Sequence, residues 1–219
     1  MTRRIALLVC SIIGSSHVVS GQDSLPLANI DREIASRLTG IVDSARARGL
    51  PTAPIIAKIS QGVLLHAAPD RIVTAAQSVA TRLDDARTAL APKPTAADIV
   101  AGGDALSVTG VTKTALEAVR STSPSKPVAV PLGLLAQLVA SGVPATRATK
   151  IVTELVKRGA SNTQLVALGN DVNSDVGHGA RANASLDVRL RGLTAVLAPI
   201  PQATASQPAD ISASGPKKP

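Results

Sequence analysis

The sequence predicts an all-α protein, an array or irregular bundle of helical hairpins with eight or nine helices and no sheet. Three observations lead to this class. A short helical pattern, a corner marked by Gly or Pro and a second helical pattern recur at residues 61–71, 107–116 and 140–151. The chain contains no Phe, Tyr or Trp. Nowhere do apolar and polar residues alternate as they would in a half-buried strand.

The first 21 residues have the layout of a secretory signal peptide. Arg3 and Arg4 precede an apolar run over residues 5–14, and small residues near position 20 suit cleavage. This run is shorter than the roughly 20 apolar residues that span a bilayer. We therefore expect a signal peptide at 1–21, a polar lead at 22–30, and export to the periplasm or the cell exterior.

The only cysteine, Cys10, lies inside the apolar run, so the processed chain has no thiol and forms no disulfide. A lipid-anchored cysteine is the competing interpretation, because residues 7–10 resemble a lipobox. Against it, Val9 is larger than the residue expected before such a cysteine, and the apolar run before Cys10 is very short.

Three helices are predicted before the first pair of prolines. Their apolar residues recur with the 3.6-residue period of a helix, and the third carries a narrow apolar stripe suited to packing against a neighbour. Capping, proline and glycine signals give their limits. These limits are Asp31 and Gly49 for the first helix, Pro54 and the corner at 67–69 for the second, and Pro69 and Pro92 for the third.

Thr95 and Asp98 have the spacing of a capping box and predict the start of a fourth helix. Gly102 and Gly103 lie in its middle, where they weaken the helix or permit close contact with a neighbour. A turn at residues 110–112 then leads into a short fifth helix.

Residues 121–130, with two prolines, form the clearest internal linker. The array could divide there into two lobes, 31–120 and 131–197, within one helical domain at 31–197. Beyond the linker four further helices are predicted, the last over about residues 180–197. The boundary signals of the others are Gly142, Pro144, Gly159 and a second capping box of Ser161 with Gln164.

Residues 198–219 are rich in Pro, Ser, Ala and Gln and end in two lysines and a proline. Their apolar content is too low to offset the entropy of ordering. We predict a disordered tail that follows the last helix.

Without Arg3 and Arg4 the chain has 21 basic residues against 15 acidic ones, a net charge of +6. Such an excess favours anionic partners. The basic residues are scattered over mixed helix faces, and a role in solubility is the plainer interpretation. The scattered residues are Arg37, Arg46, Arg48, Arg71, Arg82, Arg87, Lys113, Arg120, Arg147, Lys150, Lys157 and Arg158.

One group of side chains has the types that bind a divalent metal ion. Asp171, Asp175 and His178 are spaced i, i+4 and i+7, so one helix face could present all three. Against this, Gly177 is expected to break the helix before His178, and zinc sites usually carry more ligands. His66 precedes the corner at 67–69, where the helix dipole favours a histidine and a structural role is expected.

Several functions are disfavoured. The sequence has no Gly-x-Ser-x-Gly elbow and no phosphate-binding loop. Nucleic acid is not an expected partner, because export separates the protein from the nucleic acid of the cell. The chain also lacks the aromatic residues on which bases stack. Membrane insertion usually uses Trp, Tyr or Phe, so only loose adhesion to an anionic surface fits this composition. No cofactor is expected.

Short motifs give one family resemblance. The residues Gly49-Leu50-Pro51, Pro54, Lys58, Gln61-Gly62, Pro69-x-Arg71-Ile72, Ser141-Gly142-Val143-Pro144 and Arg158-Gly159-Ala160-Ser161 carry it. Over about residues 31–180 the chain resembles a group of uncharacterised exported bacterial proteins built from helical hairpins. The resemblance implies export and a helical architecture and carries no activity.

Taken together, these patterns predict an exported, non-catalytic scaffold or partner-binding protein. Its partner would be another protein or an anionic component of the cell envelope. The sequence leaves the oligomeric state open, and it does not separate an open array from a closed bundle. The alternative hypothesis is an exported metal-dependent hydrolase that uses Asp171, Asp175 and His178.

Overall fold

The computed structural model of the protein describes residues 31–197. Over this range the chain forms nine helices and no strand, which confirms the predicted all-α class. The expected signal peptide (1–21) with Cys10, the lead (22–30) and the tail (198–219) lie outside the described residues. The helices are α1 Arg32–Ala47, α2 Ala53–Leu64, α3 Pro69–Ala89, α4 Ala96–Ser107, α5 Lys113–Thr122, α6 Ala129–Ala140, α7 Ala145–Lys157, α8 Asn162–Gly177 and α9 Ala182–Val196.

The predicted capping signals define several of the helix starts. The side chain of Asp31 accepts a hydrogen bond from the backbone N–H of Glu33 at 2.8 Å. Both capping boxes are present, at the start of α4 and at the start of α8. One cap escaped the sequence analysis, since the hydroxyl of Thr112 accepts from the N–H of Ala115 at the start of α5.

The end of α8 differs from the expectation. Gly177 was expected to break the helix, yet it is the last residue of α8. The chain leaves the helix at Gly179, whose φ of 93° lies in the left-handed region. Because only glycine adopts this conformation without strain from a Cβ atom, Gly179 rather than Gly177 provides the stop.

The apolar faces of the helices form two hydrophobic clusters. The first joins α1, α2 and most of α3 with Ile99 of α4. The second runs from the end of α3 through α4 to α8 and reaches Leu186 of α9. α3 packs against α1, α2, α4 and α5, so it is the central helix of the N-terminal half. Among residues 31–197, no helix is long and apolar enough to cross a bilayer.

The linker at 121–130 does not separate these clusters. Leu116, before the linker, and Leu132, after it, belong to the same cluster. The clusters instead change over along α3, where Leu83 belongs to the first and Ala86 to the second. The division into lobes 31–120 and 131–197 stays a prediction, and apolar burial alone gives a different boundary.

Small residues bring α3 and α4 into close contact. A Cβ atom added to Gly102 would lie 2.9 Å from Cβ of Ala86, and one added to Gly103 would lie 2.9 Å from Cδ2 of Leu83. Distances this short are closer than carbon atoms pack. The expectation that these two glycines permit tight packing is confirmed.

Candidate functional site

The structure brings Asp171 and Asp175 of α8 together around an arginine that sequence spacing did not reveal. Arg189 of α9 donates from Nε and Nη2 to the two carboxylate oxygens of Asp175, at 3.0 and 2.7 Å. Its Nη1 lies 3.4 Å from Oδ2 of Asp171. The hydroxyl of Ser185 donates to Asp175 at 2.6 Å. The guanidinium group therefore supplies the positive charge that a metal ion would have supplied.

The third member of the predicted trio faces its own helix. Nδ1 of His178 lies 2.7 Å from the carbonyl oxygen of Ser174, one turn earlier in α8.

The hydrogen bonds from Arg189 and Ser185 lower the pKa of Asp175 to about 2. Within residues 31–197, no three His, Cys, Asp or Glu side chains lie close enough to hold a metal ion. These contacts describe an ion-pair network that joins α8 to α9.

His66 occupies the corner between α2 and α3, where the sequence placed it. Its φ of 49° is positive, a conformation that costs a residue with a Cβ atom some strain. The two preceding side chains are unusually exposed, with 78% of Leu64 and 70% of Leu65 accessible to solvent. This corner therefore presents apolar surface to water next to a strained backbone.

A buried ion pair links α4, α5 and the linker. Asp98 is 1% exposed and Arg120 is 8% exposed, and Nη2 of Arg120 donates to Oδ2 of Asp98 at 3.0 Å. Oδ1 of Asp98 accepts from the N–H of Val128 at 2.7 Å. Nη1 of Arg120 donates to the carbonyl oxygens of Ser123 and Lys126. The interpretation of Arg120 as a solubility residue is therefore wrong.

The surroundings of Asp98 keep it ionised. Burial alone raises the pKa of this carboxyl group, but hydrogen bonds from Thr95 and Val128 and the charge of Arg120 lower it below its ordinary value. All of these partners lie within the molecule, so we interpret the pair as a structural tie rather than a site for a ligand.

A cleft of about 570 Å³ lies between α2, α3 and α4. Small-molecule and peptide sites commonly have volumes of this order. Its wall and floor combine apolar side chains with charged ones. The residues that line it include Ala57, Lys58, Gln61, Val79, Arg82, Leu83 and Asp104.

A second cleft, of about 230 Å³, continues along the same two helices toward the corner. It shares Lys58 and Gln61 with the first cleft and adds Leu65, Arg71 and Ala75. We call the two adjoining clefts together the α2–α3–α4 groove. It extends from Leu65 at the corner to the α4 wall around Asp104.

The charges of this groove are mostly positive and unpaired. Lys58, Arg71 and Arg82 take part in none of the ion pairs found among residues 31–197. Lys58 donates to the side-chain oxygen of Gln61 at 2.9 Å, and Arg82 donates to the hydroxyl of Ser78 at 2.8 Å. The groove thus presents three cations that form no salt bridge among the described residues, although the charge of Arg82 also acts on the nearby Asp104.

Of the described residues that line the groove, Asp104 is the one that is acidic. Partial burial raises the pKa of its carboxyl group, and the nearby charge of Arg82 offsets this effect only in part. A carboxyl group in a cleft with a raised pKa is a common property of functional sites. Ser107, the hydroxyl on the same wall, donates to the backbone carbonyl of Asp104 at 2.6 Å, so it is engaged within its own helix.

No protein-family model, curated protein or solved structure matches this chain. Among the described residues, the groove combines volume, apolar surface and unpaired charge.

Sequence reasoning did not identify the groove, although one signal for it was present. Pro54, Ala57, Lys58 and Gln61 recur at helical spacing on one face of α2, and Leu65 follows at its C-cap. This face carries both small apolar and basic residues, which is typical of a surface that is neither core nor fully solvated. The helix that would lie opposite could not be read from α2 alone.

Proposed function

We propose that this protein is an exported, non-catalytic helical module that binds a partner through the α2–α3–α4 groove. The single observation that carries the proposal is the set of unpaired cations, Lys58, Arg71 and Arg82, along a cleft with an apolar floor. Elsewhere basic side chains that cross between helices meet a carboxylate, as Arg37 and Arg48 do.

Export is supported by the signal-peptide layout of residues 1–21, which would deliver the chain to the periplasm or the cell exterior. A net charge of +6 after processing favours an anionic partner there. Fractionation of cells and N-terminal sequencing test this part. Recovery of the full-length chain from the cytosol would contradict it.

The non-catalytic part of the proposal is supported by the chemistry of the groove. Ser107 is its nearest candidate nucleophile, and this hydroxyl is bound to its own helix. The alternative of a metal-dependent hydrolase would require a metal ion to displace Arg189 from Asp175. The observed contacts favour the binding function over this alternative.

The test compares two triple variants of the mature chain in pull-downs from envelope fractions. Lys58→Ala, Arg71→Ala and Arg82→Ala together empty the groove of cations. Lys150→Ala, Lys157→Ala and Arg191→Ala together remove the same charge from exposed residues outside the groove.

We expect a specific co-purifying component to be lost with the groove variant and kept with the control variant. Equal capture by both variants would contradict the proposed surface. Hydrolysis of an esterase, peptidase or phosphatase panel at rates abolished by changing His66 or Asp175 would contradict a non-catalytic function.

A further inference from the structure

The shape of the groove matches a segment of polypeptide. Its α2 wall runs along one helical face from Pro54 to the C-cap residue Leu65, so the groove is about 17 Å long at 1.5 Å per residue. A helical segment of about 12 residues or an extended one of about five residues fits this length.

The floor of the groove favours an occupant with apolar side chains. Ala57, Ala75 and Val79 line it, and Leu65 stands at its end with 70% of its surface in water. Covering such surface stabilises a complex by about 25 cal/mol for each Å² removed from water. A purely hydrophilic anion, such as a polysaccharide or polyphosphate, would leave this contribution unused.

The charges of the groove specify the sign of the occupant. Lys58, Arg71 and Arg82 line it without an ion-pair partner among the described residues, while Asp104 is the only carboxylate of its lining. Carboxylates on the occupant would complement the three cations, because complementary potentials raise the association rate and reject wrong partners.

We infer that the α2–α3–α4 groove binds an acidic, apolar segment of a partner protein, in which Asp or Glu residues flank Leu-, Ile- or Val-type anchors. This inference rests on the proposed function and names the chemistry of the partner. Asp104 acts as the specificity element at the α4 end, since it repels any carboxylate placed there.

The experiment measures fluorescence anisotropy of labelled peptides of about 12 residues, the helix length that spans the groove, with the complete mature chain. One peptide combines Glu with Leu, a second combines Lys with Leu, and a third combines Glu with Ser. Inorganic polyphosphate and vesicles of phosphatidylglycerol and phosphatidylcholine serve as further probes.

We expect the Glu/Leu peptide to bind more tightly than the other probes. The triple variant of Lys58, Arg71 and Arg82 should raise the Kd of the Glu/Leu peptide about tenfold, the effect expected from the loss of three surface charges. The control triple variant of Lys150, Lys157 and Arg191 should stay within about twofold of the wild type.

Asp104→Asn provides a measurement that misfolding cannot imitate, because it should tighten the Glu/Leu complex about two- to threefold by removing the repulsive charge. Weaker binding of the Glu/Leu peptide by this variant, or preference for the Lys/Leu peptide, would overturn the inferred sign.

The remaining outcomes also decide the question. Equal binding of the Glu/Ser peptide or of polyphosphate would assign the groove to anionic polymers, and preferential binding of vesicles would assign it to a membrane surface. If no peptide binds while the pull-down still depends on the groove, the inferred chemistry is wrong and the proposed function stands. If neither depends on the groove, both fail.

Discussion

The two flanks of α3 differ in how their charged residues are paired. Toward α1, Arg37 pairs with Asp70 at 3.1 Å and Arg48 pairs with Asp84 at 3.0 Å. Toward α2 and α4, Arg71 and Arg82 line the groove and form no salt bridge among the described residues. Asp70 and Arg71 are neighbours in sequence, so one helical step separates a paired residue from an unpaired one.

This difference separates charges that tie helices together from charges that form no salt bridge among the described residues. The flank toward α1 meets its partners within the molecule, and Arg87 adds a hydrogen bond from Nη1 to the carbonyl oxygen of Arg48 at 2.6 Å. In the proposed function, the unpaired cations of the flank toward the groove are the ones that meet a partner. Five sets of variants test this difference, in order of decreasing expected effect on stability.

Breaking the buried ion pair of Asp98 and Arg120 should cost more stability than breaking any of the more exposed ion pairs. Asp98→Ala should lower the free energy of unfolding by about 3–5 kcal/mol, because it leaves Arg120 buried without a counter-charge. It also removes the acceptor of the N–H groups of Thr95 and Val128. Urea denaturation measures the change.

Glu154→Ala is the matched control, since it breaks the partly exposed pair with Arg158 and should cost at most about 0.5 kcal/mol. A loss for Asp98→Ala as small as that of the control would show that the buried pair is not a structural tie.

The groove flank depends on the close approach of α3 and α4. Gly102→Ala should destabilise the protein by about 1–3 kcal/mol, because its new Cβ atom would overlap Cβ of Ala86, which has no rotamer to move away. Gly133→Ala in α6 meets no atom within 4 Å and should stabilise it by about 0.5–1 kcal/mol.

Thermal unfolding of these two variants tests the packing argument. If both variants were stabilised to the same degree, the tight contact between the two helices would be disproved.

The comparison of the two flanks is tested directly by Arg48→Ala and Arg71→Ala. Removing Arg48 should cost about 0.2–1 kcal/mol of stability, since it is an exposed paired residue. Removing Arg71 should change stability by less than about 0.5 kcal/mol. It should instead lower the affinity for the Glu/Leu peptide. An Arg71 variant that lost stability and kept peptide affinity would reverse the assignment of the two flanks.

The smallest expected effect is the loss of stability at low pH that comes from protonation of Asp175. The pKa of Asp175 falls from 3.8 to about 2 in the folded protein, so its carboxylate contributes stability above about pH 4 that is lost as the pH falls toward 2. Asp175→Asn should remove this part of the pH dependence. Urea midpoints measured between pH 5 and about pH 2 test it, and an unchanged slope in the variant would contradict the role of Arg189.

Asp104 should show the opposite sign. Its raised pKa means that the folded protein favours the protonated carboxyl group, so stability is lost as the pH rises through the folded pKa. Asp104→Asn should therefore be more stable than the wild type at neutral pH, in the same denaturation series.

The helix limits were predictable because they depend on local chemistry. Thr95 with Asp98, and Ser161 with Gln164, cap their helices through bonds to residues three positions away. Pro69 begins α3, and Gly142 and Gly159 adopt the positive φ that ends a helix. Each signal acts within one turn, so a single sequence carries it.

The partners of charged residues were not predictable in the same way. Arg120 and Arg189 reach carboxylates 22 and 14 residues away, on different helices. The spacing of Asp171, Asp175 and His178 correctly placed the two aspartates near each other, but the helix that faces them decides whether they meet a metal ion or a guanidinium group.

The sequence by itself determined the helical class, most helix boundaries and an interior of small aliphatic side chains, because propensity, capping and periodicity act over a few residues. Tertiary structure alone decided which basic side chains are buried, paired or open in the groove. Burial and charge pairing depend on the neighbouring helix, and packing of small residues such as Gly102 against Ala86 sets which neighbour that is.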